Sequence, residues 1–285
     1  MRRLWGTLVT WFWLLPLWAE DFDSYDYEYS SGGFDFKNYL LTALENGCSM
    51  LLAGVVPLIV AALVMQKFSD MLRNRLVGVL GVKGYIYLTA PGVMIHELSH
   101  ALFCIIFRHQ ILEMKLFAPE ADGTLGYVNH AYNKNSLYQR VGNFFIGTGP
   151  IWGGGVMLGI ISWWLLPDFM RQGVTIADSF RAFTEGILNW GFWIRWQSWL
   201  WLYLSLTIAS HITLSPPDLK GAADGLVMIV LVVMLANLLL SWLGNWSEVV
   251  WQYEIAILSK LVIASMGALI VGGIAIIVLA FCRKR

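Results

Sequence analysis

The stretch "PGVMIHELSHALF", Pro91 to Phe103, sets two histidines, a glutamate and a serine inside an otherwise oily segment. On insertion scales each polar group at membrane depth costs about 2–3 kcal/mol, so an idle trio is rare there. HELSH fits the pattern H-E-x-x-H. On an α-helix, positions i and i+4 are separated by about 400°, so His96 and His100 project from nearly one side, a turn apart. Two imidazoles so placed hold one zinc ion, and Glu97 faces a water on that metal. Zinc lowers the pKa of its water toward neutrality, and the glutamate takes the proton as hydroxide attacks a carbonyl. The plain alternative is a hydrogen-bonded polar patch that glues helices together, or a remnant that has lost its metal.

Composition places this segment in a bilayer. The chain has 285 residues, 58% of them hydrophobic and 13% charged, about half the charge of a soluble domain. Fifteen Trp and fifteen Phe suit the membrane–water boundary. Net charge is zero, which gives no pull toward nucleic acid. Cys48, Cys104 and Cys282 are scattered and form no CxxC pair, so neither a disulfide framework nor a thiolate zinc site is expected. The expected fold class is an all-α polytopic membrane protein.

Residues 1–19, "MRRLWGTLVTWFWLLPLWA", have two arginines, an apolar run and Ala19, the layout of a signal peptide or N-terminal anchor. Residues 20–46 begin acidic and Tyr-rich and are expected to be a flexible extracytoplasmic tail. Residues 47–285 form the membrane-embedded domain. Its six apolar spans are expected near 48–66, 85–107, 142–167, 189–210, 223–243 and 259–282. The leader and Lys67, Arg73, Arg75 and Lys83 place the tail outside, in a multi-pass protein of a prokaryotic inner membrane. Strict alternation of six spans then leaves Arg283-Lys284-Arg285 outside too, against the positive-inside rule.

A catalytic zinc takes three protein ligands, so one is missing. The extended form H-E-x-x-H-x-x-G-x-x-H fails, because Phe103 and Ile106 hold the places of its glycine and histidine. His109 and His130 lie beyond the span and read as surface residues, while Glu120 sits in the turn-like "FAPEADG". The segment "ASHITLSPPDLKGAADG", residues 209–225, is better placed: Pro216 and Pro217 break the chain, and a broken backbone at membrane depth belongs beside a wet cavity. Asp218 follows the break directly and is the favoured third ligand, ahead of Asp224, His211 and Glu120. Asp218 also reads as an N-cap for the following helix, a role that competes with metal binding.

These residues resemble the site-2 protease family of intramembrane zinc metalloproteases. "HELSHALF" is similar to that family's His-Glu-x-x-His-Ala signature. "LFAPEADGTLGYV" resembles the membrane-associated β-hairpin that follows it, "FFIGTGPIWGG" the Gly-Pro element of the next span, and "TLSPPDLKGAADG" the segment supplying the aspartate ligand. The similarity covers roughly residues 85–245. Ser99 stands where the family has glycine, and the Asp-Gly dipeptide falls at Asp224-Gly225, not at Asp218. The resemblance implies zinc-dependent hydrolysis of peptide bonds in membrane-tethered substrates. Such a substrate would add a strand to the hairpin around Leu116 to Val128. A silent family member acting as a membrane binding or scaffold protein is the alternative, and it would have no use for Glu97.

Overall fold

In a computed structural model of the chain, the described residues are 35–166 except Asp122, residues 188–240, and the isolated positions 181, 185, 186 and 273. The leader, the sixth expected span and most of the tail lie outside them. The chain divides after Asn38, and the site lies wholly in the second unit, Tyr39–Arg285.

The described residues are mostly helical, with one small antiparallel sheet. Helix α1 spans Phe36–Leu88, with non-helical backbone at Gly81. Asp35 caps its start by accepting from the amides of Lys37 (3.0 Å) and Asn38 (3.2 Å), worth about 1 kcal/mol. The helix therefore begins inside the stretch expected to be a flexible tail up to residue 46. Helix α2, Ala90–Ile106, carries the trio. It meets α1 at a 49° bend, with Pro91 in its first turn, where the missing N–H costs no helical bond.

Arg108 adopts a left-handed φ of 57° and turns the chain away from α2. Strand β1, Gln110–Lys115, then pairs antiparallel with β2, Tyr127–Ala131, with an irregularity between Ile111 and Glu113. The hairpin lies where it is expected and reaches further on both sides: beyond Lys115 the Ala118 N–H donates to the Leu125 carbonyl at 2.7 Å and the Glu120 N–H to that of Thr124 at 2.8 Å. The "FAPEADG" turn is real, with Gly123 at φ 94°.

Helix α3, Leu137–Gly147, and α4, Gly149–Leu165, form a pair bent by 61° at Thr148, because Pro150 has no N–H for the Ile146 carbonyl four residues back and its ring crowds that carbonyl. Short α5, Trp190–Ile194, and α6, Trp196–Ala209, are separated at Arg195. Helix α7 spans Pro216–Leu240.

Among the described residues, two helices are long and apolar enough to cross a membrane, Phe36–Val56 within α1 and α7, and four if each bent pair counts as one span. Six regular spans are thus not what the chain forms there. The expected fourth span fails because the break at Arg195 leaves neither half long enough.

Helix α2 is amphipathic in the inverse sense. Val93, Glu97, His100, Ala101 and Cys104 are buried, while Met94, Leu98, Leu102 and Ile105 are exposed. An apolar outer stripe and a polar inner one suit a lipid solvent. The inner face packs on α4 and α6, where Leu158, Trp201 and Ile208 are nearly inaccessible. Helix α7 packs chiefly against α3.

Candidate metal centre

His96 Nδ1–H donates to the backbone carbonyl of His211 at 2.7 Å, and His100 Nδ1–H donates to that of Ile146 at 2.7 Å. A carbonyl only accepts, so in both neutral rings the proton sits on Nδ1 and Nε2 is bare. The two bare Nε2 atoms stand 3.2 Å apart. Asp218 Oδ1 lies 3.5 Å from His100 Nε2, so three acceptors converge with no donor among them. Their ligand atoms all fall within 4.8 Å of one another, a group that can hold a metal ion. Carbonyl-anchored imidazoles are the usual outer support of a metal site.

The chain brings these atoms together at three close crossings. A Cβ on Gly92 would run into the Thr207 carbonyl oxygen, so only glycine lets α2 approach the end of α6, where His211 supplies its carbonyl. A Cβ on Gly153 would run into Ser99 Oγ. Ser99 Oγ bonds the Ile95 carbonyl at 2.6 Å and leaves room at this crossing only for a glycine opposite it. A Cβ on Gly147 would overlap the Asp218 carbonyl oxygen. Helix α3 therefore fixes His100 through Ile146 and seats Asp218 through the next residue.

Asp218 is not the N-cap expected of it: Ser215 holds that place, and Asp218 is the third residue of α7. Ser215 precedes α7, and its N–H and Oγ–H donate to Asp218 Oδ2 at 2.8 and 2.6 Å. The Asp218 amide faces Ser215 Oγ at 3.3 Å, completing a capping box with Pro216 in the first helical position. One carboxylate oxygen closes the helix end and the other faces His100.

The remaining candidates lie elsewhere. Asp224 accepts from Asn143 Nδ2 at 3.1 Å and Tyr132 OH at 3.4 Å and sits 3.9 Å from Arg140, tying α7 to α3. The imidazole of His211 stacks on Tyr85 and bonds the Thr207 carbonyl, so only its backbone reaches the site. Glu120 is exposed and faces Lys115 at 3.8 Å.

Glu97 is buried, and no described group bonds its carboxyl. The hairpin covers it: a Cβ on Gly126 would come within 2.8 Å of Glu97 Cγ and of the Lys115 carbonyl oxygen.

His109 and His130 are not the surface residues their positions suggest. His109 is buried, its Nδ1 lies 3.0 Å from His130 Nδ1, and its Nε2–H donates to the Gln139 carbonyl at 2.8 Å. Burial lowers the pKa of both, and the neighbouring His109 helps push His130 down to about 4. No spacing signal links these two histidines in the sequence; only the hairpin register brings them together.

No family model, no curated protein and no solved structure matches this chain.

Proposed function

We propose that this chain is an intramembrane zinc metalloprotease. The observation that carries the reading is the convergence of His96 Nε2, His100 Nε2 and an Asp218 oxygen with no donor to separate them. Bare lone pairs 3.2 Å apart repel, and a cation between them removes the repulsion. Two imidazoles and one carboxylate are a ligand set of catalytic zinc sites, which keep a fourth position open. Zinc bound there would acidify a water and polarise a substrate carbonyl.

Glu97 takes a proton from the water as its oxygen bonds the scissile carbonyl carbon. The same carboxyl then returns that proton to the nitrogen as the C–N bond breaks. No described residue bonds the Glu97 carboxyl, which leaves it free for both transfers. The hairpin lies against the Glu97 side chain and offers an edge to an extended, membrane-tethered substrate. The apolar outer faces of α2 and α7 fit a lipid surround; the basic leader residues Arg2 and Arg3 are what favour a multi-pass inner-membrane protein with its N-terminal tail extracytoplasmic.

A scaffold that merely binds a membrane partner is the competing reading, and Glu97 separates the two. Purified in detergent, Glu97→Gln is expected to keep one zinc per chain and to lose cleavage of unfolded membrane-tethered substrates. Cleavage at the wild-type rate in Glu97→Gln would rule out the proposed mechanism.

A further inference from the structure

The hairpin presents a nitrogen that the metal site leaves unused. The Gln139 carbonyl fixes a proton on His109 Nε2, so in the neutral ring His109 Nδ1 is bare. The nitrogen facing it at 3.0 Å, His130 Nδ1, must then be the donor. That assignment leaves His130 Nε2 with a free lone pair, to which no described residue donates. Tyr132 stacks on His109 with ring centroids 5.1 Å apart, which holds the pair in place.

This lone pair belongs to the face of β2 that looks onto the trio. Side chains alternate along a strand, so Gly126, Val128 and His130 share one side. Gly126 is pressed against Glu97, whereas Asn129 on the opposite side is exposed. His130 is half-buried and sits within electrostatic reach of His100 and Asp218. A bare imidazole nitrogen welcomes an N–H or O–H and repels a carbonyl or carboxylate.

We propose that His130 Nε2 accepts a hydrogen bond from a backbone N–H of a peptide lying extended along the hairpin beside the trio. His109 is the positioning residue that fixes its tautomer from the Gln139 carbonyl. The inference rests on the peptidase reading above and adds a substrate-contacting residue to it.

The test uses the full chain in detergent loaded with zinc. The probe is a five-residue leucine–alanine peptide hydroxamate, together with analogues in which each backbone N–H in turn is replaced by an ester oxygen. Wild type is expected to bind one analogue about three- to tenfold more weakly than the parent, the worth of one neutral hydrogen bond. In His130→Phe that penalty disappears while zinc stays stoichiometric, and in His130→Gln, whose amide oxygen still accepts, part of it returns. His109→Phe, which frees the tautomer, reduces the penalty.

A penalty unchanged in His130→Phe would overturn the inference alone. So would wild type that holds zinc yet shows no sensitive position or fails to bind the parent, or loss of zinc in His130→Phe, which would make this residue a ligand. Wild type that holds no zinc would overturn the peptidase reading and, with it, the inference.

Discussion

Two histidine pairs meet nitrogen to nitrogen in this chain, His96 with His100 at 3.2 Å and His109 with His130 at 3.0 Å. The distances are nearly equal and the chemistry is opposite. In the first pair both outer nitrogens donate to backbone carbonyls, which strips the proton from both inner ones. In the second pair only His109 is so anchored, so an ordinary N–H···N bond closes the gap. Distance alone does not identify a metal site; the partners of the far nitrogens do.

The largest effect expected from this contrast is on metal content. His96→Ala or His100→Ala removes a ligand and is expected to weaken zinc binding by more than the about 100-fold that loss of an outer partner costs. His109→Ala and His130→Ala should leave zinc stoichiometric. Metal analysis of the four purified variants checks this, and equal zinc loss in all four would erase the distinction between the pairs.

Next in size is Ser215→Ala. It removes the hydroxyl that orients the Asp218 carboxylate and is expected to cost about tenfold in zinc affinity. It should also cost about 1 kcal/mol in stability, measured as a lower unfolding midpoint. Normal zinc affinity in this variant would mean that the capping box does not hold the ligand.

The seat of the first pair can be tested without touching a ligand. Gly153→Ala forces a methyl onto Ser99 and is expected to destabilise the protein by about 1–3 kcal/mol. Adding Ser99→Gly should restore much of the loss, because it reopens the crossing. Independent, additive effects of the two changes would count against this packing.

The smallest effect concerns pH and the second pair. Both histidines have folded pKa values below the ordinary 6.5, and His130 lies near 4. Below about pH 6.5 the unfolded chain takes up protons that the native hairpin refuses. The stability associated with the neutral pair is therefore complete above that pH and is lost as pH falls toward 4. Hydrogen exchange of the hairpin amides should quicken from pH 7 to pH 5 after correction for intrinsic rates. Slower corrected exchange at pH 5 would reverse the sign.

Much of the candidate site is legible in the sequence, and the reasons are local. Residues four apart on a helix share a face whatever surrounds them, so His96 and His100 declare themselves, and two consecutive prolines announce the start of α7 near Asp218. The supporting shell is not legible. It consists of backbone carbonyls, at His211 and Ile146, which every residue possesses and no sequence marks. Asp218 reads as a cap in the sequence, yet Ser215 takes that place and one Asp218 oxygen is left facing His100, a division that residue spacing does not announce. That Ser99 packs against Gly153, more than fifty positions away, is likewise invisible in the sequence. The regular spans fail where Arg195 and Thr148 break helices whose composition alone looks continuous.

Whether His96, His100 and Asp218 together hold one zinc ion is decided by X-ray absorption at the zinc edge, on the full chain in detergent. The expected spectrum contains two imidazole nitrogens and oxygen ligands at about 2.0–2.2 Å, with no sulfur, and loses one oxygen contribution in Asp218→Ala. A sulfur ligand, a spectrum unchanged by Asp218→Ala, or the absence of bound zinc would contradict the assignment.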